Sequence, residues 1–324
     1  MTPPLTLVKP TDETASPRLT PEVFNGLTKF RVELVQFAKN KEAFVDAIIC
    51  AILSSGHVLI EDVPGVGKTT VIKAISRLLG LEMRRVQCTS DLLPSDIIGV
   101  EVFNASSQTF DFHRGPIFSN IVLADELNRA SPRTQSALLE GMGEGCVTVD
   151  RQTYELPKPF FLFASQNPSD HIGTYPLPES QLDRFSVKLK LDYPSEDKET
   201  EIFQKAVLDP LSNLVSDVLS HDALVQLQTA VENVFISDRV AAYTKRFINA
   251  TRSHDGIKRG VSTRGGVAWL RVARARALLY GRDYVTPDDL IQAGDACLSH
   301  RVIPHTGNDA HHLIQHLLNT VDIE

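Results

Sequence analysis

A glycine-rich segment at residues 60–70 constrains the fold of this chain more than any other feature. It reads IEDVPGVGKTT, follows a short apolar run and precedes residues 71–79, whose apolar positions have helical spacing. Gly65 and Gly67 allow backbone N–H groups to point at phosphate oxygens beside a helix N-terminus, and Lys68 adds a positive charge there. The segment therefore predicts a phosphate-binding loop between a strand and a helix, with a nucleoside triphosphate as its ligand.

One position of this loop departs from the usual G-x-x-x-x-G-K-[ST] pattern. Asp62 stands in place of the first glycine, although aspartate tolerates unusual backbone angles better than most residues. Thr69 offers a hydroxyl to Mg²⁺. A glycine-rich turn with an exposed lysine is the alternative interpretation. The predicted phosphate-binding residues are Pro64, Gly65, Val66, Gly67, Lys68, Thr69 and Thr70.

Short apolar runs alternate with helical segments up to about residue 195. Four runs, at residues 57–60, 85–88, 121–124 and 160–164, predict buried strands. A fifth, at 187–191, alternates apolar and basic residues, as an edge or less covered strand does. Strands that are separated by helices predict a parallel α/β sheet.

The composition changes near residue 195, where the strand-like runs stop. Helical spacing continues at residues 196–207, 222–234, 239–250, 266–279 and 287–300. We expect four segments: a flexible leader (1–20), a nucleotide-binding core that begins with two amphipathic helices (21–195), an all-α domain (196–304), and a C-terminal tail or terminal helix (305–324). Because 324 residues with 42% hydrophobic content can bury a large core, the four dispersed cysteines predict reduced thiols.

Polar side chains follow two of the predicted strands. Asp125 and Glu126 come directly after the run at 121–124, and Asn167 follows the run at 160–164. Parallel strands end at one edge of the sheet, where ligands of α/β proteins bind. We therefore expect Asp125 to hold Mg²⁺, Glu126 to polarise an attacking water, and Asn167 to orient that water or bind the γ-phosphate. A helix-capping acidic pair and an Asn-Pro turn are the alternatives.

Several stretches together resemble the MoxR family of AAA+ ATPases over about residues 21–300. They are 59–69 (LIEDVPGVGKT), 91–99 (DLLPSDIIG), 115–129 (GPIFSNIVLADELNR), 134–139 (TQSALL), 165–168 (SQNP), 173–185 (GTYPLPESQLDRF) and 282–289 (RDYVTPDD). The resemblance implies a P-loop NTPase fold of the α/β class. That fold begins with the AAA+ core, an αβα sandwich that contains a five-stranded parallel sheet. An all-α lid domain follows the core. It also implies ATP and Mg²⁺ as cofactors and ATP hydrolysis as the activity.

The resemblance implies a functional role for several individual residues of this chain. Lys68 and Thr69 resemble the Walker A residues, Asp125 and Glu126 the Walker B pair, and Asn167 the sensor 1 amide. Together with the two arginines described next, the expected catalytic residues are Glu126, Asn167, Arg184 and Arg264, and the expected metal-binding residues are Thr69 and Asp125.

Two arginines resemble residues that contact the nucleotide from outside the core. Arg184 resembles the arginine finger, a guanidinium that a neighbouring subunit lends to the transition state. Arg264 resembles the sensor 2 arginine of the lid. A surface pair with Asp183 is the alternative for Arg184, and a helix-capping role is the alternative for Arg264. Gln87 resembles a residue that restrains Glu126 before a partner binds.

The resemblance also implies an assembly and its partners. We expect a ring homo-oligomer, a hexamer, that remodels, assembles or matures protein clients, with von Willebrand factor A domain proteins as expected partners. Residues 103–113 and 147–156 resemble inserted hairpins that face the axial surface of such rings. A nucleotide-gated assembly scaffold, in which ATP binding rather than turnover is the active step, is the alternative function.

Charge and hydropathy argue against other classes of protein. The net charge of −7 and the few basic residues in the expected hairpins disfavour a nucleic-acid partner. We expect no membrane span and a cytoplasmic location, because no stretch reaches the length of a span and the first twenty residues lack a signal-peptide core. The histidines near the C-terminus lack a zinc-site pattern and predict a solvated terminal helix.

Overall fold

The computed structural model describes residues 19–38, 41–62, 67–149, 152–167, 173–191, 211–212 and 214–323. Up to residue 191 its elements are α1 (Pro21–Phe37), α2 (Glu42–Leu53), β1 (Val58–Asp62), α3 (Lys68–Leu79), β2 (Met83–Gln87), α4 (Pro94–Ile98), β3 (Gly99–Asn104), β4 (Thr109–Arg114), β5 (Ile121–Asp125), α5 (Pro132–Glu144), β6 (Cys146–Val149), β7 (Gln152–Glu155), β8 (Phe161–Gln166), α6 (Glu179–Leu182) and β9 (Val187–Leu191). Beyond that point they are α7 (His221–Asn233), α8 (Asp238–Ser253), β10 (Ile257–Arg259), α9 (Thr263–Leu279), α10 (Pro287–Leu298), β11 (Ile303–Pro304) and α11 (Ala310–Thr320). The predicted leader up to residue 18 and the helix predicted at 196–207 lie outside the described residues.

Five parallel strands form the central sheet in the order β2–β5–β8–β1–β9. The five predicted strands are confirmed, with bounds that shift by two residues or fewer. β9 lies at the edge, as its alternating pattern predicts, whereas every residue of β5 is buried. Because β5, β8 and β1 are consecutive neighbours, their carboxyl ends meet at one place on the sheet edge.

Helices cover both faces of this sheet. In β5, Ile121 and Leu123 pack with residues of α1, α2 and α3, whereas Val122 and Ala124 pack with residues of α5. The split follows from the strand geometry, since successive side chains point to opposite faces. The αβα sandwich of a P-loop NTPase is therefore confirmed.

Two antiparallel hairpins project from the core where the sequence predicts them. β3 pairs with β4 and β6 pairs with β7. The rings of Phe112 in β4 and Tyr154 in β7 stack with their centroids 4.2 Å apart, and Phe118 packs edge-on against both. The hairpins therefore contact each other through aromatic side chains. The turn at residues 150–151 lies outside the described residues.

Helices dominate the part of the chain after residue 211, which we call the lid. Its core contains Trp269, whose indole N–H donates a hydrogen bond to the carbonyl oxygen of Leu290 at 2.8 Å. The C-terminal segment forms α11, which buries Ile314, Leu317 and Leu318. The terminal helix, and not an irregular tail, is therefore what the structure contains at residues 310–320. Within the described residues, no set of three or more His, Cys, Asp or Glu side chains is arranged to hold a metal ion.

None of the described helices has both the length and the apolar character that a membrane-spanning segment requires.

Candidate nucleotide-binding site

The helix that follows the glycine-rich segment begins with a left-handed turn. Gly67 has a φ of +88° and caps α3, and a positive φ of this kind favours glycine because it lacks a Cβ. Lys68, Thr69 and Thr70 form the first turn of α3, where the helix dipole is positive. The other predicted loop residues, Pro64, Gly65 and Val66, lie outside the described residues.

Lys68 points at the carboxylate that ends β5. Its Nζ lies 3.1 Å from Oδ1 of Asp125, and both side chains are largely buried. Ser165, at the end of β8, donates its hydroxyl to the same carboxylate oxygen at 2.7 Å, and Arg85 of β2 donates to Oδ2 at 2.6 Å. Three neighbouring elements therefore converge on Asp125.

These partners keep Asp125 ionised. Burial acts to raise its pKa, but the hydrogen bonds from Ser165 and Arg85 and the charge of Lys68 outweigh it and hold the pKa below its usual value. A buried, ionised carboxylate beside an ammonium group at the start of a helix is an arrangement that suits Mg²⁺ and a phosphate chain. The residues present therefore fit the nucleotide and the metal that the family implies.

Glu126 adopts a strained conformation at the strand end. Its φ is +57°, which is uncommon outside glycine, and its backbone N–H donates to the Ser165 hydroxyl at 2.9 Å. The carboxylate oxygen Oε2 accepts a hydrogen bond from Gln87 at 3.0 Å and lies 3.4 Å from Nε of Arg129. The predicted contact between Gln87 and Glu126 is thus present, and it draws the carboxylate toward the end of β2.

Asn167 follows β8, which lies between β5 and β1 in the sheet. Its carbonyl oxygen accepts a hydrogen bond from the Asn128 side chain at 3.3 Å, so this segment is tied to the turn after Glu126. The structure therefore brings Lys68, Asp125, Glu126 and Asn167 to the same edge of the sheet. Residues 168–172 lie outside the described residues.

The predicted finger residue Arg184 lies just after α6. Its guanidinium donates a hydrogen bond to the carbonyl oxygen of Leu139 in α5, beside a cavity of about 150 Å³ that Glu140 and Glu144 also line. The alternative of a surface pair with Asp183 is wrong, because Asp183 is bonded to Arg301 of the lid at 2.8 Å.

The second predicted arginine, Arg264, is exposed in the first turn of α9. The N-cap of this helix is Ser262, whose hydroxyl accepts from the backbone N–H of Gly265 at 2.9 Å. The helix-capping alternative for Arg264 is therefore wrong. The site role expected for Arg264 stays a prediction.

Two residues of this site were missed in the sequence. Arg85 and Ser165 both bind Asp125, and no pattern in the sequence predicted a role for either of them. Burial gave no signal for Arg85, because its side chain is 49% exposed and an exposed charge needs no protein partner. Ser165 gave no signal either, since small polar residues at strand ends are common.

Comparisons with known proteins agree with this geometry. Residues 57–187 match the model of the ATPase family associated with various cellular activities (AAA), and residues 249–317 match the AAA lid domain. Chaperone MoxR1 of Mycobacterium tuberculosis is 38% identical over 280 residues, which cover 84% of this chain and 74% of that protein. Protein YeaC of Bacillus subtilis is 44% identical over 280 residues, which cover 85% of this chain and 88% of YeaC.

A solved structure extends the similarity to three dimensions. It comes from Cytophaga hutchinsonii, is described as that of a candidate ATPase, and is 33% identical in sequence. The TM-score is 0.82, and the match covers 92% of this chain and 96% of the other. Fold, family models and relatives agree, and the chain belongs to the MoxR family of AAA+ ATPases.

Proposed function

We propose that this protein binds ATP with Mg²⁺ and hydrolyses the nucleotide in a ring of identical subunits, which uses the cycle to remodel or mature protein clients. The observation that carries the proposal is the convergence of Lys68, Asp125 and Glu126 at the carboxyl edge of the sheet. A cation for phosphate, an ionised carboxylate for the metal and a second carboxylate for water are the parts that phosphoanhydride cleavage requires.

Each residue has a distinct task in this proposal. Lys68 and the N–H groups at the start of α3 bind the phosphate chain, and Thr69 and Asp125 hold the metal. Bound Mg²⁺ supplies neutralisation of the negative charge on the phosphate oxygens. Glu126 takes a proton from the attacking water, and Asn167 orients that water.

Two neighbouring side chains restrain Glu126. Gln87 and Arg129 both engage its Oε2 atom, so one lone-pair region of the base is already used. We infer that full turnover requires this carboxylate to leave Gln87, and that a client or a neighbouring subunit triggers the movement.

The ring is proposed from the position of Arg184. Its contact lies on α5 and not on Lys68 or Asp125 of the same subunit, which suits a guanidinium that serves a neighbouring site. We propose a hexamer with von Willebrand factor A domain proteins as clients. The name of the relative Chaperone MoxR1 supports only the coarser part of this proposal, an action on protein clients. We place it in the cytoplasm, where the buried cysteines Cys50, Cys88 and Cys297 remain reduced.

Two substitutions test the hydrolytic roles. Glu126→Gln should bind ATP normally and lower hydrolysis by at least about 100-fold, because a general base is lost.

Arg184→Ala should bind ATP within about twofold of the parent and lower turnover about 1000-fold, because the finger is lost. Arg133→Ala, which removes an exposed arginine at the start of α5, is the matched control and should hydrolyse like the parent. Parental hydrolysis by Arg184→Ala would refute the finger assignment.

The same Glu126→Gln protein separates a remodelling machine from a scaffold. A scaffold needs only ATP binding, so the effect of the protein on its client, which we call client activity, would persist when turnover stops. We expect client activity to be lost while ATP-dependent assembly is retained. Client activity at the parental level in Glu126→Gln would favour the scaffold.

A further inference from the structure

A buried arginine of the lid binds the segment that carries Arg184. Arg301 is only 2% exposed and lies in a short 3₁₀ helix after α10. Its Nε donates to Oδ1 of Asp183 at 2.8 Å, and its Nη2 donates to the carbonyl oxygens of Asp183 at 3.1 Å and Phe185 at 2.7 Å. The residues on both sides of Arg184 are therefore held by one guanidinium.

Other lid residues bind the same short segment. Nε2 of His300 lies 3.0 Å from the carbonyl oxygen of Phe185, and the Ser262 hydroxyl lies 3.4 Å from the Asp183 carboxylate. Arg259 forms an ion pair with Glu179 at the start of α6. The lid thus contacts this segment from α6 to the residue after Arg184.

The stem of Arg301 packs against the start of α9. A Cβ built on Gly265 would lie 2.8 Å from Cδ of Arg301, which is closer than side-chain carbons approach each other. Only glycine therefore leaves room for the arginine at this point. Arg301 connects the helix turn that presents Arg264 with the segment that presents Arg184.

We propose that Arg301 is a positioning residue that sets where Arg184 is presented to the neighbouring subunit. The inference rests on the proposed function, in which Arg184 completes the site of another subunit. Displacement of a catalytic group by about 1 Å can lower a rate by about 100-fold, so the backbone at residues 183–185 must be held firmly. Since Arg301 belongs to the lid, a rotation of the lid carries Arg184 with it.

The principal test substitutes Arg301→Lys in the full chain. Lysine keeps the positive charge but replaces the planar fork by a single ammonium group, which cannot reach all of these acceptors. We expect the Kd for ATP to stay within about twofold and kcat to fall at least about tenfold, since only the transition-state contact of a neighbour is disturbed. Unchanged kcat would overturn the proposal.

Mixed rings distinguish a positioning role from a general structural one. An equal mixture of Arg301→Lys and Glu126→Gln subunits contains sites in which an intact Glu126 meets a correctly placed Arg184. Such sites make up about a quarter of the total in a random ring, so hydrolysis should return to about a quarter of the parental rate. Arg184→Ala mixed with Glu126→Gln is the positive control. If the Arg184→Ala mixture regains hydrolysis and the Arg301→Lys mixture does not, Arg301 acts on the site of its own subunit. That result would overturn the proposal.

Matched variants account for effects on folding. Arg282→Lys disturbs an arginine–carboxylate pair of the same kind, with Asp289, that lies entirely within the lid. It should leave kcat at the parental value. If Arg301→Lys does not fold, Asp183→Asn tests the same contact from the core side, and it should show the same lowered kcat and the same rescue.

A parent protein without ATP hydrolysis would refute the proposed function itself, whereas an active parent with an unaffected Arg301→Lys would refute this inference alone.

Discussion

Asp125 illustrates how much of this site depends on residues that do not touch the nucleotide in our proposal. Its carboxylate accepts hydrogen bonds from Ser165 and Arg85, and neither of these residues binds the phosphate chain or the metal in the proposed function. Ser165 also accepts the backbone N–H of Glu126, so one hydroxyl fixes the orientation of both acidic residues. Hydrogen bonds to a carboxylate that holds a metal fix its orientation and its charge, and their loss typically lowers metal affinity by about 10- to 100-fold.

Removal of this hydroxyl should weaken the proposed metal site. For Ser165→Ala we expect the Mg²⁺ concentration that supports half-maximal hydrolysis to rise at least about tenfold, because Asp125 loses an orienting donor. Ser119→Ala is the matched control. Ser119 is equally buried, but its hydroxyl lies 3.0 Å from the carbonyl oxygen of Pro116 at the other end of β5. A similar Mg²⁺ dependence in both variants would contradict the role of Ser165.

At the scale of elements, the two hairpins form one unit and not two separate projections. Phe112 and Tyr154 stack across the gap between them, while Phe103 and Phe110 pair in the part of the first hairpin nearest its turn. The inner pair is partly buried, whereas Phe103 and Phe110 are 55% and 66% exposed. The inner aromatic contact therefore fixes the hairpins to each other, and the outer pair remains accessible.

A double-mutant cycle tests this connection. We expect Phe112→Ala and Tyr154→Ala to show a coupling free energy of about 1 kcal/mol in denaturant unfolding, because stacked aromatic pairs contribute about that much beyond burial. The Phe112→Ala and Phe103→Ala pair provides the control, since the structure records no ring contact between those two residues. Independent effects of Phe112 and Tyr154 would contradict a joint unit.

At the scale of the whole molecule, the core and the lid share one hydrophobic cluster. Leu34 of α1, Ile49 of α2 and Trp269 of α9 belong to it. A polar contact reinforces this junction, because the Tyr280 hydroxyl after α9 donates to Asp46 of α2 at 2.6 Å. A continuous apolar cluster couples the unfolding of the segments that it joins.

We therefore expect a single cooperative unfolding transition. Trp269 is the only tryptophan of the chain and is buried in the lid, so its fluorescence reports on the lid, whereas far-ultraviolet circular dichroism reports on all helices and strands. The two signals should change at the same denaturant concentration. A fluorescence transition that precedes the dichroism transition would show that the lid unfolds by itself. The comparison requires no substitution and is best made without nucleotide.

The sequence by itself determined the class of fold and the central part of the candidate site. Hydrophobic spacing is a local property, so it located all five strands of the sheet and the helices at 222–234 and 239–250 to within a few residues. The segment that ends in Gly67, Lys68 and Thr69 predicted a phosphate-binding loop, because phosphate binding uses backbone N–H groups that are consecutive in the sequence. Asp125 and Glu126 could be predicted as site residues because they follow a run of buried strand residues directly.

Only the tertiary structure decided which distant groups meet. Arg301 and Asp183 are 118 residues apart in the chain, and Ser165 is 40 residues from the carboxylate that it orients. Spacing along a chain assigns a side chain to a face or to a strand end, but a hydrogen bond requires atoms placed to within a few tenths of an ångström. That placement comes from the packing of helices and strands against each other, and no local pattern in the sequence encodes it.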